Sequence, residues 1–210
     1  AFITVDEAGQ NTILVYGGAN MTLSATDVEM SAEAFIGADF VVAQLEVPFE
    51  AIEQAFKIAR KQNITTVLNP APAIELPKSL LELTDIIIPN ETEAELLTGI
   101  SINNESDMKE TATYFLELGI SAVLITLGEQ GTYCAYQEQY KMIPACNVKA
   151  IDTTAAGDTF IGAFLSELNK DLSNLESAIR LANQASSLTV QRKGAQASIP
   201  TRKEVEAEYN

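Results

Sequence analysis

The sequence predicts an α/β fold, a three-layer αβα sandwich whose sheet is mostly parallel, with a small β hairpin at the amino terminus. Two patterns carry the expectation. Short, largely apolar runs, such as residues 40–45 and 122–126, have the character of strands covered on both faces. Between such runs lie stretches with apolar residues at helical spacing. That alternation over most of a chain places helices on both sides of a parallel sheet. A third feature orients the search for chemistry. Residues 152–160 (Asp152, Thr153, Thr154, Ala155, Ala156, Gly157, Asp158, Thr159, Phe160) put small side chains where a helix starts.

The elements follow in order. Residues 1–5 read as a strand, 6–11 as a turn and 12–16 as a second strand. A domain seldom opens in mid-sheet, so a further amino-terminal portion is expected before it. Gly17, Gly18, Ala19 and Asn20 read as a plain turn. Residues 26–38 suggest a helix with Thr26 as N-cap. The strand at 40–45 ends at Glu46, and 48–62 is an amphipathic helix with Phe49, Ile52, Phe56 and Ala59 on one face. Pro48 near its start fits a helix origin. A strand at 65–68 leads into a stiff loop, Asn69, Pro70, Ala71 and Pro72. Short strand 86–88 precedes helix 91–98.

Residues 106–118 form a second surface helix stopped by Gly119. Strand 122–126 turns through 127–131 into a hairpin of 132–136 and 140–143. Residues 147–151, with Val148 and Ile151, read as a strand entering the small-residue stretch. Beyond it, Phe160, Ile161, Ala163, Phe164, Leu165 and Leu168 have the spacing of a buried helical stripe. A helix over 175–190, a polar loop at 192–198 and a final charged helix capped by Thr201 complete the chain. No internal repeat or low-complexity segment is present.

Composition bounds the function. A chain of 210 residues, 47% hydrophobic and 20% charged, can bury one sizeable core. Its net charge of −16 argues against a nucleic-acid surface. A phosphate site survives that argument, because it is a local field of N–H groups and a metal. With no His, imidazole bases and His-ligated zinc are excluded. Cys134 and Cys146 lack metal-ligand spacing, and reduced cytoplasmic thiols are expected. No run is long enough to span a membrane and no signal-peptide pattern opens the chain.

Three sites suggest themselves. The first N–H groups of a helix are unpartnered and carry its positive end, so the turn at 155–158 can hold an anion. Asp158 stands beside that turn, an arrangement suited to phosphoryl transfer. It also serves the helix dipole, which needs no ligand. Glu46 stands at the carboxyl end of a strand, where doubly wound folds bind ligands, and also reads as a solvated acid. Asn90 and Glu93 share a helix face: they suit an outer shell around Mg²⁺, and equally a capping box.

Residues 152–160 resemble the carboxyl-terminal signature of the ribokinase-like carbohydrate kinase family. The resemblance runs nearly end to end. It takes in Gln44, Leu45 and Glu46, the run from Leu68 to Ala73, the run from Pro89 to Glu95, Ile125 to Gly128, and Arg192 to Pro200.

It implies ATP-dependent phosphorylation of the 5-hydroxyl of D-ribose, with Asp158 as base and Ala155, Ala156 and Gly157 as the anion hole. Glu46 and Asp158 would bind sugar. Asn90, Thr126, Leu127, Gly128, Glu129, Gln130, Gly131, Gly157, Asp158 and Asn183 would meet the nucleotide. Glu93 would organise Mg²⁺ through water. A monovalent cation, K⁺, is implied at Asp152, Thr154, Thr189, Arg192, Gly194 and Ser198. The resemblance further implies a cytoplasmic homodimer joined through a β lid that includes residues 1–20, with one domain over 1–210 truncated at its amino end. Other acceptors, as in a fructokinase, a sugar-phosphate kinase or a nucleoside kinase, stay open, as does a catalytically inactive nucleotide-binding remnant. A dinucleotide oxidoreductase is disfavoured, since no Gly-x-Gly-x-x-Gly joins a strand to a helix.

Overall fold

A computed structural model describes residues 2–5, 11–14 and 16–209. At the start, β1 (Phe2–Val5) pairs antiparallel with β2 (Asn11–Leu14) as a separate two-stranded sheet. The turn expected at 6–11 lies, apart from Asn11, outside the described residues. Tyr16, expected in the second strand, is beyond β2 and exposed.

The next helix differs from expectation. α1 (Ala25–Met30) starts one residue earlier, because Ser24 and Asp27 form a reciprocal capping box. It stops at Ser31, whose hydroxyl donates back to the Asp27 carbonyl, a bond that disfavours further regular helix. A short 3-10 turn at Ala32–Phe35 replaces the rest of the expected span. No residue of α1 is buried, so no packing extends it.

The main sheet has six strands in chain order: β3 (Phe40–Ala43), β4 (Thr65–Leu68), β5 (Ile86–Ile87), β6 (Ala122–Thr126), β7 (Gly131–Tyr136) and β8 (Gln139–Pro144). β3 to β6 run parallel, whereas β7 and β8 are antiparallel. The parallel connections pass through α2 (Phe49–Lys61), α3 (Lys78–Leu81), α4 (Glu91–Thr98) and α5 (Glu105–Glu117). After β8 come α6 (Ala156–Glu167), α7 (Leu175–Thr189) and α8 (Arg202–Tyr209).

Strand periodicity divides the core in two. Successive strand side chains point to opposite faces, so Leu68, Ile87, Val123, Ile125 and Tyr133 meet Ile52, Phe56, Leu80, Ala112 and Phe115 on one side. Val67, Ile86, Ile88, Leu124 and Cys134 meet Phe160, Phe164, Ala178 and Ile179 on the other. Helices therefore cover both faces, as the alternation of elements predicts. α8 packs on α7 through Val205 against Ala185 and Leu188.

Two further expectations are corrected. Residues 147–151 form no strand; the N–H groups of Ile151 and Asp152 both donate to the Val190 carbonyl, so this segment crosses to the end of α7 without joining the sheet. The strand expected over 40–45 ends at Ala43, although Leu45 beyond it is buried.

Candidate active site

The origin of α6 is open. Ala155, its N-cap, has φ 61° and ψ 12°, a left-handed conformation that non-glycine residues adopt at a cost of about 1–3 kcal/mol. Followed by helical Ala156, it has the left-handed then right-handed backbone alternation from which anion-binding nests are built. The N–H groups of Ala155, Gly157 and Asp158 find no backbone carbonyl among the described residues, while that of Ala156 donates to Thr153. A Cβ at Gly157 would meet nothing within 4 Å. Hydrophobic neighbours therefore do not plug this end of the helix. Thr159 and Phe160, one step further on, are buried and anchor it.

Asp158 is exposed, and its Oδ1 accepts a hydrogen bond from Gln44 Nε2 at 3.1 Å. That contact brings α6 to the carboxyl end of β3. The carboxyl ends of the other parallel strands supply Asn69 after β4, Asn90 after β5 and Thr126 in β6. Glu46 follows β3, is exposed, and makes no hydrogen bond or ion pair among the described residues. Gln44 and Asn69 had no role attached by sequence. Their only signal was a place beside strand ends within segments that resemble the family.

Asn90 and Glu93 form the capping box of α4. Asn90 Oδ1 accepts from Glu93 N at 2.8 Å, and the Glu93 carboxylate accepts from Asn90 N and Nδ2, both at 2.9 Å. Glu93 is 6% exposed. Burial pushes its carboxyl above the usual range, opposed by the bond from the Asn90 N–H. The capping role is thus on view, and it leaves Asn90 exposed above it.

The segment from Thr126 to Gly131 is held tightly. Thr126 N donates to the Pro89 carbonyl at 2.9 Å and Leu127 N to Gly131 O at 2.8 Å. Leu127 is buried, while Gly128, Glu129 and Gln130 form an exposed 3-10 turn. Gly131 is required by close approach: a Cβ there would lie 2.2 Å from the Ile143 carbonyl oxygen, and φ is 113°. Asn183, 7% exposed, uses its amide internally. Its Oδ1 accepts from Thr132 Oγ1, and its Nδ2 donates to the carbonyls of Ile143 and Pro144.

Asp152 links the α6 turn to the segment before α8. Its Oδ1 accepts from Thr154 N and its Oδ2 from Gly194 N, each at 3.0 Å. Hydrogen bonding by the Thr154 side chain, then by the Gly194 N–H, holds its carboxyl down to about 2. Thr189 is buried and donates to Thr159 Oγ1. Arg192 spends its charge on Glu204 at 2.8 Å, and the buried Ser198 donates to the Ala195 carbonyl.

The donor chemistry is all oxygen, which suits hard cations and not zinc or copper. No cluster of three or more acidic or thiol groups able to hold a metal occurs among the described residues. Away from this region, a cleft of about 790 Å³ opens at the amino ends of the strands, beside Arg60, Thr65, Asp85 and Ser121. A smaller crevice of about 290 Å³ separates α6 from Ile199, Pro200 and Val205, with Asp158 at its border.

Residues 1–202 match the family described as pfkB family carbohydrate kinase. The chain belongs to the pfkB family. Among curated relatives, a ribokinase of Staphylococcus aureus is 64% identical over 98% of this chain and 67% of its own length. A bifunctional ribokinase/ribose-5-phosphate isomerase A of Fructilactobacillus sanfranciscensis is 54% identical over 98% of this chain and 38% of its own. The solved structure of an Arabidopsis thaliana ribokinase complexed with ribose and ATP superposes with TM-score 0.86 at 32% identity, covering 98% of this chain and 67% of that one. The chain spans about two thirds of the length of the ribokinases it matches, and 38% of the bifunctional relative.

Proposed function

We propose that this chain carries the nucleotide-binding and catalytic part of an ATP-dependent ribokinase that phosphorylates the 5-hydroxyl of D-ribose. The observation that carries the reading is the open origin of α6, where unpartnered N–H groups stand beside an exposed carboxylate. Ribokinase relatives at high identity, one solved with ribose and ATP, support it from outside.

In this reading Asp158 takes the proton of the sugar hydroxyl. The hydroxyl oxygen bonds to the γ-phosphorus as the bond to ADP breaks, and the proton passes to Asp158 late in that transfer. The unpartnered N–H groups of Ala155, Gly157 and Asp158 would face the charge on the phosphoryl oxygens, a preorganised field; that of Ala156 would join them only by leaving the Thr153 carbonyl. A loose transition state loses the acceptor proton late, so placement of the carboxylate matters more than its basicity. Mg²⁺ would neutralise charge on the nucleotide phosphates, with Asn90 and Glu93 reaching it through water. Glu46 would accept from sugar hydroxyls. Residues 126–131 would border the phosphates and ribose of the nucleotide, and Asn183 would lie near adenine while its amide braces α7.

K⁺ belongs to the same reading: Asp152, Thr154, Thr189, Arg192, Gly194 and Ser198 would surround it, several through main-chain oxygens. So do a cytoplasmic location, one domain over 1–210 and a homodimer formed through the amino-terminal hairpin. No described helix is long and apolar enough to cross a membrane.

The test is Asp158→Asn in the protein at its full natural length, assayed for ADP formation with ATP and ribose. Turnover falls about 10²–10⁴-fold, the usual contribution of a positioned base, while KM for ATP holds. Near-normal turnover would remove Asp158 from the chemistry. The span of two thirds favours a second reading, in which these 210 residues bind nucleotide and turn nothing over. The same assay on the 210-residue chain decides it, with little or no ADP expected.

A further inference from the structure

Gln44 is half-buried at the end of β3, and its amide touches two groups. Its Nε2 lies 3.1 Å from Asp158 Oδ1 and 3.4 Å from Asn69 Oδ1. Asn69 in turn donates through Nδ2 to the Ile88 carbonyl at 2.8 Å. The direction of this chain of amides is fixed at both ends. A carbonyl can only accept, so Asn69 must turn its NH₂ toward Ile88 and its oxygen toward Gln44. A carboxylate can also only accept, so Gln44 must present its NH₂ to Asp158. The two hydrogens on Gln44 Nε2 are thereby divided between Asn69 and Asp158.

We infer that Gln44 is a positioning residue for the Asp158 carboxylate, tying it through Asn69 to the main chain after β5. This rests on the reading of Asp158 as base. The Asp158 side chain stands exposed on the first turn of α6, where its rotamers are otherwise free. The Gln44 amide occupies Oδ1 and leaves Oδ2, which has no partner among the described residues, to receive the acceptor's proton. A misplacement of about 1 Å at a reacting group costs on the order of a hundredfold in rate. One hydrogen bond that selects the rotamer is enough to matter.

The experiment is a double-mutant cycle at full natural length, with Gln44→Met, Asp158→Asn and the pair, each checked for nucleotide binding as proof of folding. Gln44→Met keeps the side-chain volume and removes the donor. It lowers kcat about ten- to a hundredfold with KM for ATP unchanged. In the Asp158→Asn background it changes kcat less than about twofold, because there is no base left to place. Gln44→Glu, which sets one carboxylate against another, lowers kcat further than Gln44→Met and keeps the inference testable if Gln44→Met folds poorly. An equal fractional loss in both backgrounds overturns it, since Gln44 would then act independently of Asp158. So does full activity of Gln44→Met while Asp158→Asn is inactive, an outcome that leaves the base in place. Near-normal turnover of Asp158→Asn removes the base itself, and this inference with it.

Discussion

Cys134 and Cys146 differ in their surroundings more than in their chemistry. Cys134 sits in β7 under α6 and α7, and burial, with the nearby charge of Glu176, pushes its thiol up to about 12. A thiol so raised stays protonated through the neutral range, and only the thiolate attacks. Cys146 lies half-buried in the segment after β8. A disulfide reagent at neutral pH is expected to modify Cys146 in the native protein and Cys134 only on unfolding. Two equivalents reacting rapidly without denaturant would contradict the packing described for β7. Asp152 shows the opposite shift at the same scale. Hydrogen bonds from Thr154 and Gly194 favour its charged form, which keeps the α6 turn and residue 194 together.

At the scale of elements, α7 is joined to the β7–β8 hairpin through Asn183. That amide satisfies Thr132 Oγ1 and the carbonyls of Ile143 and Pro144, all in or beside the region where Gly131 allows two backbones to touch. Asn183→Ala strands those groups and should cost about 1–3 kcal/mol. Equilibrium denaturation reads this directly, and an unchanged midpoint would show that water replaces the lost partners. β4 and β6 were legible in sequence because each is a short cluster of β-branched and apolar residues, Thr65 to Leu68 and Ala122 to Thr126, buried on both faces. α1 was not, since its true start lay in a Ser24–Asp27 exchange of bonds and no buried stripe marked its extent. Residues 147–151 have the composition of a strand but no neighbouring strand to pair with. The turn at 155–158 was legible from its small residues. The Gln44–Asp158 contact was not, because 114 residues separate its partners and no local spacing encodes it.

For the whole molecule, the charge of −16 leaves recognition of an anion to local dipoles and not to surface potential. The arrangement of the sheet has a different consequence. β5 lies between β4 and β6, whereas β3 has only one neighbour among the described residues and leaves Val42 47% exposed. Unpaired edge groups open most readily. In deuterated solvent, the 210-residue chain should therefore label from its margin inward, with residues 40–43 saturating well before 86–87 and 122–126. Peptide-resolved mass spectrometry would show the gradient. Slow labelling at 40–43 would reveal that something shields that rim in solution, and comparison with the protein at full natural length would tell whether the shield is its own chain.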